Sequence, residues 1–153
     1  MDGTEAETNA WVPTVIEDGE WAGWSTYAND PFEDHAGPFY NRTGEDGRPV
    51  CAMRPERKHM NGGGFMHGGA LMTFADFCLF VIARDALKDS RSVTATFNSE
   101  FVGAVAEGSL LECRGEVVKA GRSMVFVRGL MTVEGEAVLS FSATLKKTAP
   151  RAR

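Results

Sequence analysis

The sequence predicts an α+β fold in which one antiparallel sheet wraps a single long helix. Three observations carry the prediction. A strongly apolar run fills residues 70–83, too long for one strand and suited to a buried helix. Four strand-like segments follow it, with hairpin signals at Ala120-Gly121 and Glu134-Gly135. Short strand-like pieces precede it between dense turns. Short strands, one helix and then a meander is the order of an α+β domain, not of alternating βαβ units.

Taken in order, residues 1–23 form an acidic N-terminal extension, expected to be partly disordered. All three tryptophans, Trp11, Trp21 and Trp24, fall in or beside it. They are expected to cover an edge of the core, with a lid over an apolar ligand site as the other reading. From residue 30 to 47 turn residues are dense: Asp30-Pro31, Gly37-Pro38, Gly44 and Glu45-Asp46-Gly47. Between them Phe39-Tyr40-Asn41-Arg42 and Val50-Cys51-Ala52-Met53 read as short strands, and residues 55–64 as loop. The helix is expected over residues 68–87, apolar on nearly all sides until Arg84 and Asp85 and therefore buried all round. Strands are expected at 92–101, 110–119, 123–133 and 137–146. In the first, Val93, Ala95 and Phe97 alternate with Thr94, Thr96 and Asn98. In the last, Ala137, Leu139, Phe141, Ala143 and Leu145 point inward. Residues 146–153 read as a solvated tail, of which 148–153 lie beyond the domain. No repeat or linker divides the chain, so residues 1–153 are expected to form one domain.

Composition narrows the function classes. A formal net charge of −5 and the lack of a basic, aromatic-studded patch argue against a nucleic-acid partner. Cys51, Cys78 and Cys113 are odd in number and form no CxxC pair, so neither a disulfide framework nor a zinc site is expected. A metal site built from His35, His59 and Cys51 is disfavoured, with both histidines placed on surface or loop. The N-terminus lacks the basic-then-apolar pattern of a signal peptide, and the apolar run is short for a bilayer and contains Asp76. No membrane association and a cytoplasmic location are the expectations.

Residues 61–76, NGGGFMHGGALMTFAD, concentrate the chemistry. A glycine-rich turn carries Asn61 and His67. Gly68 and Gly69 open the apolar helix, where backbone N–H groups can meet an incoming oxygen. Asp76 sits among Leu71, Met72, Phe74, Phe77 and Leu79. A carboxylate there is costly to bury unless it is paired, hydrogen-bonded or used. Oxyanion donors and a buried carboxylate on one element are parts of an acyl-transfer or hydrolysis site. The structural alternatives are a capping histidine, a turn asparagine, conformational glycines and a carboxylate paired within the core.

The pattern Asn61, His67-Gly68-Gly69, Asp76, followed by the strand meander, resembles the hotdog-fold acyl-CoA thioesterases. It is most similar to their phenylacetate-degradation (PaaI-like) subfamily. The resemblance covers roughly residues 37–147. It implies that the Gly68 N–H and the Asn61 side chain polarise the thioester carbonyl and that His67 lies near the thioester. It implies Asp76 as general base or nucleophile. It also implies a hydroxyl on the strand after the helix that orients water: Thr94 by gapless counting, with Thr96 as the alternative. Gly69 would contact substrate, and Gly121-Arg122-Ser123 resembles a turn near the CoA nucleotide. The implied substrate is an acyl-CoA, with no metal or redox cofactor. The implied assembly is a homodimer, or a tetramer made of two such dimers. A hotdog hydratase or dehydratase and a non-catalytic acyl-CoA-binding domain are the rival functions.

Overall fold

The computed structural model describes residues 12–150. Eight strands form one antiparallel sheet. They are β1 (Pro13–Val15), β2 (Ser25–Tyr27), β3 (Tyr40–Thr43), β4 (Pro49–Met53), β5 (Ser90–Phe101), β6 (Leu111–Ala120), β7 (Met124–Val133) and β8 (Glu136–Pro150). Their order across the sheet is β1-β2-β3-β4-β6-β7-β8-β5. The long helix α2 (Gly68–Ile82) packs against this sheet, with α1 (Pro31–Ala36) before it and one turn, α3 (Arg84–Leu87), after it. The core lies between α2 and the sheet: Leu71, Phe74, Phe77 and Leu79 of the helix meet Met53, Leu111, Met131, Leu139 and Leu145 of the strands.

The predicted α+β class holds, and the differences in detail have physical causes. The helix ends at Ile82 rather than at Leu87, because Ala83 has non-helical backbone angles (φ −89°, ψ 3°) before α3 resumes. Nor is α2 buried all round. Met72, Thr73, Asp76 and Phe80 keep solvent contact along one side, a stripe at three- and four-residue spacing. Residues 30–36, expected as turns, contain α1. Asp30 caps it by accepting from the Glu33 N–H at 3.0 Å, and Pro31 occupies its first turn. Within the predicted 55–64 loop, Arg57–His59 form a short 3-10 helix.

Both ends carry more order than expected. Residues 13–15 and 25–27 pair as a hairpin on the far edge of the sheet, while the rest of the extension up to Trp11 lies outside the described residues. At the other end Lys146–Pro150 are not a tail. Strand β8 continues through them, and Ser90 and Arg91 of β5 pair with Pro150 and Ala149. Trp21 stacks on Tyr40 with centroids 3.9 Å apart, and Trp24 lies edge-on to Trp21 with the Arg42 guanidinium over its ring. These two tryptophans therefore cover β3, the edge role.

Strand β5 departs most from its predicted pattern. Its pairing with β8 shifts register between Thr94 and Thr96, so Ala95 is an extra residue. Before the bulge Ser92 and Thr94 face inward and Val93 is 51% exposed; after it Phe97 faces inward and stacks on Phe141. Val93 and Ala95, which alternate in step with Phe97 in the sequence, point outward. A second shift, between Met131 and Thr132, turns Ala137 outward and buries Val138 beside Leu139. Opposite the end of α2, Gly115 pairs with Gly129, and a side chain on Gly115 would come within 2.6 Å of the Ile82 methyl. Glycine there lets the helix approach the sheet backbone.

Candidate active site

Asp76 and Thr94 meet. The Thr94 Oγ1 hydroxyl donates to Asp76 Oδ1 at 2.6 Å, the length of a charge-assisted bond. The β5 bulge makes this possible by turning Thr94 toward the helix, while Thr96 lies exposed beyond the bulge. Burial pushes the Asp76 carboxyl above its ordinary pKa, the Thr94 bond opposes that rise, and the Asp30 charge adds to it.

The pair opens onto a cavity of about 430 Å³. Phe77, Phe80 and Val81 supply its apolar walls, and the 92–94 stretch of β5 borders it. The facing wall comes from the N-terminal segment: Tyr27, Asn29, Asp30 and Glu33. Sequence reasoning missed this wall. The Glu33 carboxyl is pushed up from 4.5 to about 7, first by burial and then by the charges of Asp30, Asp76 and Asp34. Asp30, Glu33 and Asp76 thus crowd one cavity with carboxyl groups. Neither described tryptophan lines this cavity, so the lid reading finds no support in Trp21 or Trp24, and Trp11 lies outside the described residues.

The other predicted residues gather at the start of α2. Asn61 Oδ1 accepts from the N–H groups of Gly63 (2.9 Å) and Phe65 (3.2 Å), which closes the glycine turn and leaves its Nδ2 as the donor facing outward. His67 caps the helix: its Nδ1 accepts from the Gly69 N–H at 2.8 Å. That bond engages the Gly69 donor and leaves His67 Nε2 and the Gly68 N–H open. The Phe101 ring of β5 lies against Gly68, where an added Cβ would sit 3.2 Å from it.

His59, expected on surface or loop, is buried at 5% exposure. Its Nδ1 accepts from the Glu56 N–H (2.8 Å), so its Nε2 carries the proton donated to the Ala36 carbonyl (2.5 Å). Its own carbonyl accepts from the His67 N–H at 2.8 Å. His59 thus ties α1 to the segment that presents Asn61 and His67. His35 is exposed as expected. Gly121, Arg122 and Ser123 form the β6–β7 turn, closed by a Gly121 N–H bond to the Met124 carbonyl at 2.7 Å. The three cysteines are buried and free, and no group of three metal-ligating side chains clusters among the described residues. No helix among them is long and apolar enough to cross a membrane.

A family model described as the Thioesterase superfamily matches residues 63–140, just over half of the chain. The chain belongs to that superfamily. A candidate esterase from Pseudomonas aeruginosa is 35% identical over 101 residues, covering 65% of this chain and 75% of the relative. A second candidate esterase, from Caenorhabditis elegans, is 28% identical over 118 residues, covering 67% and 70%. The PaaI protein of the E. coli phenylacetic acid degradation operon superposes with a TM-score of 0.69 at 18% identity, over 80% of this chain and 87% of that one. A hypothetical thioesterase protein from Streptococcus pneumoniae, solved with coenzyme A, gives 0.68 at 21% identity, over 80% and 98%. A Streptococcus mutans protein bound to acetyl-CoA gives 0.68 at 22%, over 76% and 93%. The expected hotdog fold is therefore borne out, with α2 as the helix that the sheet wraps.

Proposed function

We propose that this thioesterase-superfamily protein hydrolyses an acyl-CoA thioester to the free carboxylic acid and CoA. The observation that carries the reading is the Asp76–Thr94 bond at the mouth of the mixed apolar and polar cavity. The hydroxyl holds one carboxylate oxygen and leaves the other for water. In the general-base route Asp76 takes a proton from water as the oxygen attacks the thioester carbon. The carbonyl oxygen gains charge, which the Gly68 N–H and Asn61 Nδ2 stabilise. Collapse of this intermediate breaks the C–S bond and releases CoA as its thiolate. In the nucleophile route Asp76 attacks directly, and water then hydrolyses the mixed anhydride. His67 Nε2, left open by the Nδ1 bond to Gly69, is the proposed contact to the thioester or the leaving sulfur. Arg122 in the Gly121–Ser123 turn is the proposed partner for the CoA phosphates. This chemistry requires no metal or redox cofactor.

The helix geometry argues that two chains share each site. Gly68 and Asp76 lie eight residues apart on α2, a separation of about 12 Å along the axis. An attacking atom must come within about 3–3.5 Å of the carbonyl carbon. One helix cannot offer both groups to one carbonyl, but two helices antiparallel across a two-fold axis can. Strand β5 ends the sheet with one side unpaired, the natural seam for a second copy. A dimer, paired again into a tetramer, fits this reading.

Incubation with a panel of acyl-CoAs and a thiol reagent tests the function. Hydrolysis releases thiol. A hydratase consumes only enoyl substrates without thiol release, and a binding domain does neither. Complementation tests the shared site. Asn61→Ala and Asp76→Asn, each nearly inactive alone, should regain up to about a quarter of wild-type activity when mixed as hybrid dimers. Hybrids that form and stay inactive would refute sharing.

A further inference from the structure

The Asp76 cavity does not end in solid core. A second cavity of about 350 Å³ lies behind its far wall, and Tyr27, Glu33 and Phe77 line both. These three side chains are therefore the partition between them. Two are held in place. Phe77 is 3% exposed and packs against Phe39 and Phe74, and the Tyr27 ring is tilted against Phe77. Glu33 has the flexible stem, projecting from the short helix α1 with its backbone N–H fixed by Asp30. Beyond the partition the second cavity offers a hydrocarbon chain apolar faces from Phe39 and Pro38, with Thr26, Asp34 and Lys58 on its other sides.

We propose that Glu33 sets the length limit of the acyl group, closing the Asp76 pocket at the wall shared with the second cavity. This rests on the acyl-CoA hydrolase reading above. An apolar chain that ends before the wall gains burial with each methylene. A chain that reaches it must displace a carboxyl group that is already partly stripped of water, and that carboxyl has no apolar equivalent to offer. The preferred substrates are therefore acyl groups that stop short of Glu33. A smaller residue at this position would join the two cavities and admit a longer chain.

The test is kcat/KM along a series of straight-chain saturated acyl-CoAs for the wild type, Glu33→Ala and Glu33→Gln. In the wild type the value should rise about fourfold per added methylene, then level or fall once the chain meets the wall. Glu33→Ala should carry the rise on through further methylenes, increasing the ratio of long-chain to short-chain kcat/KM by at least about tenfold. Glu33→Gln keeps the bulk and should keep the wild-type profile. Parallel profiles for the wild type and Glu33→Ala would overturn the proposal. So would an equal shift in Glu33→Gln, which would put the effect in charge and not in the wall. If Glu33→Ala does not fold, Glu33→Ser carries the same comparison. A wild type that hydrolyses no straight chain refutes the Glu33 proposal, while the hydrolase reading is decided by thiol release across the wider acyl-CoA panel. Hydrolysis with parallel profiles refutes the Glu33 proposal alone.

Discussion

Replacing Glu33 by Gln should stabilise the protein above neutral pH and change little in mild acid. Burial and the charges of Asp30, Asp76 and Asp34 push the Glu33 carboxyl from 4.5 to about 7. A carboxyl whose pKa is raised by folding holds its proton more tightly in the folded state. The resulting stabilisation is fully present below the unfolded value and is lost as pH rises through the folded one. Gln has no proton to lose. The stability difference between variant and wild type should therefore be near zero at pH 4.5, grow between 4.5 and about 7, and level off above. The whole shift would correspond to about 3 kcal/mol at 1.36 kcal/mol per unit. Glu33 keeps some solvent contact, and screening reduces the expected plateau to about 1–2 kcal/mol. Urea unfolding of both proteins across this range measures the difference directly. A difference that does not vary with pH, or a variant less stable than wild type in alkali, would refute the account of Glu33 as a desolvated, crowded carboxyl.

Asp76→Asn should keep the fold, since the amide oxygen can still accept from Thr94, and lose about 10²–10⁴ in turnover; retention of more than a tenth would remove Asp76 from the chemistry. Thr94→Val deletes the bond that holds the Asp76 pKa down, so the acid limb of the kcat/KM–pH profile should move to higher pH; an unmoved limb would disconnect the two residues. Asn61→Ala should lower turnover by roughly 3–4 kcal/mol with little change in KM; a raised KM at constant turnover would make Asn61 a ground-state binding residue. Gly129→Ala places a methyl against the Phe141 ring and should cost about 1–3 kcal/mol in urea unfolding; an unchanged midpoint would mean that the ring moves aside freely.

The proposed catalytic half of the site was legible as a cluster because its signals are local. Asn61, His67, Gly68 and Asp76 lie within sixteen residues, and their types and spacing persist whatever the rest of the chain does. Thr94 was legible only by counting, since its alternation with Phe97 contradicts the pocket-facing role unless a residue is inserted between them. The Ala95 bulge is that residue, and nothing in a Thr-Ala-Thr run announces a bulge. Helix α1 was readable in principle. Asp30-Pro31 with Glu33 is a helix-start pattern, but proline and aspartate are also turn residues, and six residues are too few to show a period. Missing α1 meant missing Glu33. The contact of Glu33 with the Asp76 pocket spans 43 positions of sequence and is set by tertiary packing alone. His59 was misplaced for a related reason: its burial depends on a carbonyl of α1.

Strand β5 links chemistry to assembly. Its inner face supplies Thr94 to Asp76, and its last residue, Phe101, lies on Gly68 at the other end of the same helix. Its outer edge is the unpaired end of the sheet, and Val93 and Phe101 are each 51% exposed along it. An exposed edge twelve residues long, with apolar side chains at Val93 and Phe101, invites pairing with another strand. If a second copy pairs there, the two α2 helices come to lie antiparallel across the seam, which is the arrangement that the 12 Å separation of Gly68 and Asp76 demands. The bulge then has two effects. It rotates Thr94 inward toward Asp76, and it turns Val93 and Ala95 outward on the strand where the second copy would pair.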